Sequence, residues 1–418
     1  MDLLTFARAN RAYNGYHVRH APRNLVAQMM AKNTVDIITN FTDLSNVTVS
    51  AGSAILVQEP GNPVYTGINS LKVTPTSSDI ARIAITFPTP RTFNYDFLGM
   101  MVYQPGLPKT DGYIEAVFIS SYVVVGKATR PVGGAISGIS NSWELVEFPI
   151  ATGDTPMTVV DRIEITFTFK AGGNADERTL FIDSIFQIAN PLTQGLVTIT
   201  LDGSYKAAYT QTRPILSKYG YRANAMVIKD HLGTPGKMTM NDVRALEKLG
   251  WDISTHPGAD NDNLVGNPAT MTPEQLNTLA LDRQKWLVEN GFYDKGGRFI
   301  LKFNTMPLAE AISEFSKYYY FIRSAGGGSG NWRNNSFPVF NPYAINSANY
   351  INYDNNLKAI QMAATHRQWA ILIWHPGKDS ELTSIEQERL CADIKTLGLK
   401  VVTFSDVLDD MVLPKVTY

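Results

Sequence analysis

Leu196–Gly203, LVTITLDG, and Gly250–Leu264, GWDISTHPGADNDNL, decide the fold of the second half of this chain. The first is a β-branched apolar run that stops at Asp202 and Gly203, so it reads as a buried strand delivering a carboxylate to its C-terminal edge. The second does the same for an imidazole. Trp251-Asp252-Ile253-Ser254 is strand-like and hands over to Thr255-His256, with Asp260 four residues further on. A carboxylate and a histidine at strand ends fit the place where barrel-like α/β enzymes keep their chemistry.

Working outward, Asp202 is followed by Tyr205, Tyr209-Thr210, Pro214-Ile215-Leu216 and Lys218-Tyr219-Gly220. Gly297-Arg298-Phe299-Ile300-Leu301-Lys302-Phe303-Asn304 comes later, and Ala370-Ile371-Leu372-Ile373-Trp374-His375 is an apolar strand ending in a second histidine. Together these segments resemble the polysaccharide deacetylases, carbohydrate esterase family four, whose first motif reads T-F-D-D-G and whose second reads H-x-x-x-H. The resemblance covers Gly195 to Met411 and implies a distorted, incomplete α/β barrel.

The resemblance also implies roles. Asp202 would be the catalytic base and His375 the general acid, while His256 would be a metal ligand and Arg298 a groove-lining residue. Two positions depart from the pattern: Gly203 stands where the family has its second aspartate, a ligand, and Asp260 where it has its second metal-binding histidine. A catalytic zinc usually takes three protein ligands plus water, and glycine supplies no side-chain oxygen. The expectation is therefore no metal, or a weakly held divalent ion such as zinc on His256 and Asp260. Asp202 also admits the plain reading of a turn or capping residue. His256 and His375, each followed by proline, admit that of satisfied loop histidines.

Ala325–Gly330, a glycine-rich run, ends in Asn331-Trp332-Arg333. An aromatic face and a planar donor suit sugar contact, so Trp332 and Arg333 join Arg298 as substrate-binding candidates. The run lacks the G-K-[ST] ending of a phosphate loop. Tyr318, Tyr319, Tyr320 and Phe321 read as core.

Upstream, residues 36–190 change character. Ser70–Val73, Ala81–Phe87, Tyr113–Phe118 and Arg162–Phe167 alternate polar and apolar side chains, with Gly, Pro, Asn or Ser turns about every 8 to 12 residues. That is the signature of a β-sandwich. The order of the pieces is similar to jelly-roll carbohydrate-binding modules, which serve either to bind sugars or as spacers. Asn190–Gly195 is the expected boundary to the 195–418 domain, where strand-like and helix-like segments alternate as in a parallel sheet wrapped by helices. Residues 1–35 carry Arg8, Arg11, Arg19, Arg23 and Lys32 against Asp2 alone and read as a basic N-terminal anchor.

The chain has 418 residues, 44% of them hydrophobic, and a formal net charge of -1, which offers no basic footprint for nucleic acid. No segment is long and apolar enough for a membrane span or a signal peptide. The one cysteine, Cys391, lies in a helix-like stretch and reads as a buried thiol. A glycan-directed chain of this kind is expected to be a bacteriophage virion protein, a tail fibre, spike or baseplate adhesin. It would recognise bacterial surface polysaccharide at the host surface, contact other virion proteins through residues 1–35 and form a homo-oligomer. The alternatives are an active metal-dependent polysaccharide deacetylase or esterase, a hydrolase, and a purely structural virion protein.

Overall fold

A computed structural model describes residues 35–42, 44–58, 69–75, 79–93, 97–103, 105, 113–121, 123–129, 143–152, 159–169, 172–176, 178–258, 270–292, 299–302, 311, 314–315, 317–324, 334–335, 337, 345, 347, 352–378 and 381–408. The expected anchor, residues 1–35, lies outside them except for Val35, as do Asp260, Arg298, Trp332 and Arg333. The chain divides into two compact units at Pro191 and Leu192.

In the first unit the alternating segments form antiparallel strands β1 (Val35–Thr39), β2 (Val47–Ala51), β3 (Ser53–Gln58), β4 (Asn69–Thr74), β5 (Ile80–Arg91), β6 (Phe97–Tyr103), β7 (Tyr113–Ser120), β8 (Val123–Thr129), β9 (Trp143–Thr152), β10 (Val160–Thr168) and β11 (Leu180–Ile188). Their order is β2-β5-β10-β7-β8-β9-β6-β11-β4-β3, with β1 on β11. Period-two alternation turns Ile83, Ile85, Ile163, Ile165 and Phe118 to the same side. These share one buried cluster with Leu98, Met100, Val102, Ile182 and Leu71 from the other end of the order. The segments expected as a jelly-roll sandwich form an antiparallel, jelly-roll-like β region with one common buried core.

The second unit carries the parallel strands β12 (Leu196–Asp202), β13 (Asn224–Val227), β14 (Asp252–Thr255), β15 (Phe299–Lys302), β16 (Phe321–Ser324), β17 (Trp369–Trp374) and β18 (Lys400–Val401). They run in the order β16-β15-β14-β13-β12-β17, with β18 on β12. Among the described residues β16 and β17 do not pair with each other, so the order is open. Asn335 pairs with Trp369 of β17 and Ile345 bridges Arg323 of β16, so one connection touches both edge strands.

The intervening helices begin where the side chains demand it. Thr239, Thr272 and Thr383 each accept from the backbone three residues on and are answered by Asp242, Gln275 and Glu386, starting helices Met240–Lys248, Pro273–Glu289 and Ser384–Thr396. The strand that begins at Lys400 stops at Val401, because Thr403 and Asp406 form another such box and start a helix at Phe404. Cys391 is buried in helix Ser384–Thr396, and burial pushes its thiol up to about 12. No described helix is long and apolar enough to cross a membrane.

Sheet parity sorts this unit. Val197, Ile199 and Leu201 pack with the helices. Leu196, Thr198, Thr200 and Asp202 occupy the opposite face, a buried interior. The same count places Asn224 and Met226, Asp252 and Ser254, Phe321 and Arg323, and Ile371 and Ile373 on that inner side.

Candidate active site at the strand ends

Register brings the motif residues together. Leu201 is level with Trp374, so His375 stands level with Asp202 at the C-terminal ends of adjacent strands. Asp202 is level with Met226 and Met226 with Ser254, so His256 lies two residues higher, about 7 Å along the strand direction. All three share the inner parity. Asp202 is only 3% exposed and His256 7%. Both imidazoles lie close enough to Asp202 to favour its ionised form.

The partner of Asp202 comes from elsewhere. Arg323 of β16, 1% exposed, donates from one terminal nitrogen to Asp202 Oδ2 at 2.5 Å and from the other to Thr200 Oγ1 at 3.1 Å. Four strand spacings separate β16 from β12 in the order, about 19 Å on a flat sheet, beyond what the two side chains span together. The sheet must curl so that its ends face across the interior. Burial by itself would raise the Asp202 carboxyl, but Arg323 foremost, then His375 and His256, outweigh it and hold the group below the ordinary carboxylate value. Asp202 therefore stays ionised.

His375 Nδ1 lies 2.7 Å from Glu381 Oε2, a partly buried carboxylate that fixes the ring and leaves Nε2 to face the site. Burial is the first cause that drops His256 to about 3, with Asp202 opposing and Arg323, His375 and His231 adding to the fall. The imidazole is neutral at ordinary pH. Its Nδ1 accepts from the Gly258 backbone at 3.3 Å, which assigns the ring hydrogen to Nε2. Arg283, 3% exposed, donates to the Pro257 carbonyl at 2.8 and 3.2 Å and pairs with Asp230 at 2.7 Å, holding the turn that carries His256.

Three polar atoms on the inner side of these strand ends are buried without a hydrogen-bond partner among the described residues: Asp202 Oδ1, Arg323 Nε and Ser254 Oγ. Unmatched groups of both kinds in an interior mark a place where water or a ligand belongs.

The described part of this set, which does not include Asp260, is short of ligands for a metal centre. Among the described residues no group of three His, Cys, Asp or Glu side chains could hold an ion. Gly203 has φ +90°, a region L side chains rarely enter, and a Cβ there would come within 2.6 Å of the Tyr205 ring. The glycine is thus a backbone requirement as well as a missing ligand. One oxygen of Asp202 is committed to Arg323, and the hydrogen on His256 Nε2 turns that atom into a donor rather than a ligand.

Of the residues singled out from sequence, Asp202, His256 and His375 converge; Asp260, Arg298, Trp332 and Arg333 lie outside the described residues. Arg323, Glu381 and Arg283 were not anticipated. A signal existed for Arg323, an arginine at inner parity with Phe321 in a short apolar strand, but nothing local marks its partner.

No family model and no curated protein matches the sequence. Among solved structures, the carbohydrate esterase family four domain of a multidomain xylanase from the hindgut metagenome of Trinervitermes trinervoides is similar at 13% identity and a TM-score of 0.34. That match covers 52% of this chain and 91% of that one. A peptidoglycan deacetylase of Bacillus subtilis is similar at 15% identity and 0.34, over 51% of this chain and 90% of that one. A family 11 carbohydrate-binding module from Clostridium thermocellum is similar at 12% identity and 0.26, over 37% of this chain and 95% of that one.

Proposed function

We propose that the second unit is a polysaccharide-directed acyl hydrolase of deacetylase type and that the first unit is a carbohydrate-binding module serving it. One observation carries the reading. An ionised carboxylate with one oxygen anchored by Arg323 and the other unmatched stands level with a carboxylate-oriented histidine at one sheet edge. Asp202 Oδ1 takes a proton from the attacking water, and His375 Nε2 supplies one to the departing sugar oxygen or nitrogen. Through its terminal nitrogens Arg323 positions Asp202. Its Nε–H and the Ser254 hydroxyl are buried donors on the inner side of the sheet and can stabilise charge on the carbonyl oxygen. No step is assigned to a metal.

The test is acetate release by the full chain from O- and N-acetylated glycans. Asp202→Asn is expected to lower the rate by about 10²- to 10⁴-fold, as is usual for loss of a general base. Wild-type turnover in that variant would end the assignment.

A second reading is favoured by Gly203 and by the poor fit to a metal. It is recognition of bacterial surface polysaccharide without turnover, on a bacteriophage particle that residues 1–35 would join. Glycan binding by a chain that releases no acetate, with or without added zinc, would select it.

A further inference from the structure

The buried arginines of the second unit have carboxylates, Arg323 with Asp202 and Arg283 with Asp230 and Asp282, and so do the partly buried lysines Lys206, with Asp242, and Lys229, with Asp282. Lys237 does not. Its half-buried ammonium donates to the Gly203 carbonyl at 2.8 Å and lies 3.6 Å from the centre of the Tyr205 ring, with no carboxylate of the described residues in ion-pair reach. Backbone pairing holds it there. Lys237 bridges Tyr205, and the flanking bonds run from Lys206 N to Gly236 O and from Met238 N to Ser204 O. The position is built rather than incidental.

The ammonium also adjoins the chemistry. Gly203 follows Asp202 directly, and the Tyr205 ring meets His375 edge-on at 6.4 Å between centroids. A second cation, Lys378, lies 5.9 Å from the same ring and shares Glu381 with His375, its Nζ 3.3 Å from Glu381 Oε1. The two ammoniums repel: burial first and Lys378 second pull the Lys237 amine below its ordinary value. Two like charges gathered round one aromatic ring, one of them half-buried and without a carboxylate in reach among the described residues, favour the arrival of an anion between them.

We infer that Lys237, with Lys378 beside it, forms a subsite for an anionic group carried on the sugar chain, so that the glycan addressed by this site is an acidic polysaccharide. The shared chemistry is a carboxylate or phosphate oxygen accepting from Lys237 Nζ next to the Tyr205 ring. This deepens the hydrolase reading in placing that anion next to the acyl group attacked, but the binding stands on Lys237 and Lys378 alone.

The experiment is calorimetric titration of the full chain with three polymers: an oligogalacturonate, which carries carboxylates, a ribitol phosphate oligomer, and neutral xylo-oligosaccharide. One of the two anionic polymers is expected to bind in preference to the neutral one, naming the source of the anion. Lys237→Gln should weaken that binding about tenfold, Lys237→Arg should retain it, and salt should depress it. The circular dichroism of Lys237→Gln should match that of the wild type; if it does not, Lys378→Gln, at an exposed position, carries the same test with a smaller loss. Equal affinity for neutral and acidic chains, or a Lys237→Gln loss equal on both, overturns the inference. Anion binding that depends on Lys237 in a chain releasing no acetate would sink the hydrolase reading and leave the subsite standing; acetate release without anion preference would do the reverse.

Discussion

The interiors of the two units solve opposite problems. In the antiparallel unit Ile83, Ile163, Ile165, Phe118, Met100 and Ile182 fill a core of hydrocarbon. In the parallel unit the inner side of the sheet at β12, β14 and β16 carries Thr198, Thr200, Asp202, Ser254 and Arg323, all buried. Apolar burial stabilises in proportion to the area removed from water. A buried ion pair only breaks even when its geometry is good, and leaves a large penalty when one partner is lost. The second interior therefore spends stability on holding a carboxylate ionised away from water, and the first does not.

The largest expected effect lies in that polar interior. Arg323→Met strands the Asp202 charge and should destabilise the second unit by about 3 to 5 kcal/mol, read as a shifted denaturation midpoint. Pairing it with Asp202→Leu should recover much of the loss. A double variant no more stable than the single one would show that the pair is not the cause. Next is pH. His256 is held near 3 when folded and would titrate near its ordinary value when unfolded, so the unfolded state binds the extra proton between those values. Stability is full above about 6.5 and falls as pH drops toward 3, by about 1.4 kcal/mol per unit crossed. His256→Asn should flatten that slope in melting curves taken from pH 7 to 4.

Smaller is Gly203→Asp, which forces a side chain into positive φ and against Tyr205; a loss of about 1 to 3 kcal/mol is expected. Elemental analysis of that variant should show no stoichiometric zinc, and a full equivalent of metal would refute the poor fit argued for the site. Smallest is Ile163→Val in the antiparallel core, about 0.5 to 1.5 kcal/mol. A larger loss there than for Arg323→Met would invert the contrast between the two interiors.

Much of this was legible before any coordinates. Alternation in Ala81–Phe87 and Arg162–Phe167 exposes strand and face together, because the period of two needs no tertiary knowledge. Asp202, His256 and His375 were legible because each ends a recognisable strand. Arg323 was not, since its partner is four strands away in an order that only folding creates. Glu381 lies six residues after His375 across a proline-glycine turn, and only the turn's path makes them neighbours. Gly203 was legible as a missing ligand but not as a conformational necessity, because φ is a property of the folded loop. Lys237 reads as an ordinary surface lysine until its pairing with Tyr205 is seen.

The connection that places Asn335 on β17 and Ile345 near β16 has a consequence for how the protein would fail. Unpaired strand edges are templates for other chains, and natural sheets cover them. Here two residues of one connection, Asn335 and Ile345, each bridge an edge strand of the parallel sheet. One proteolytic cut between them would untie those two contacts from each other, so nicked protein should aggregate more readily than the intact chain.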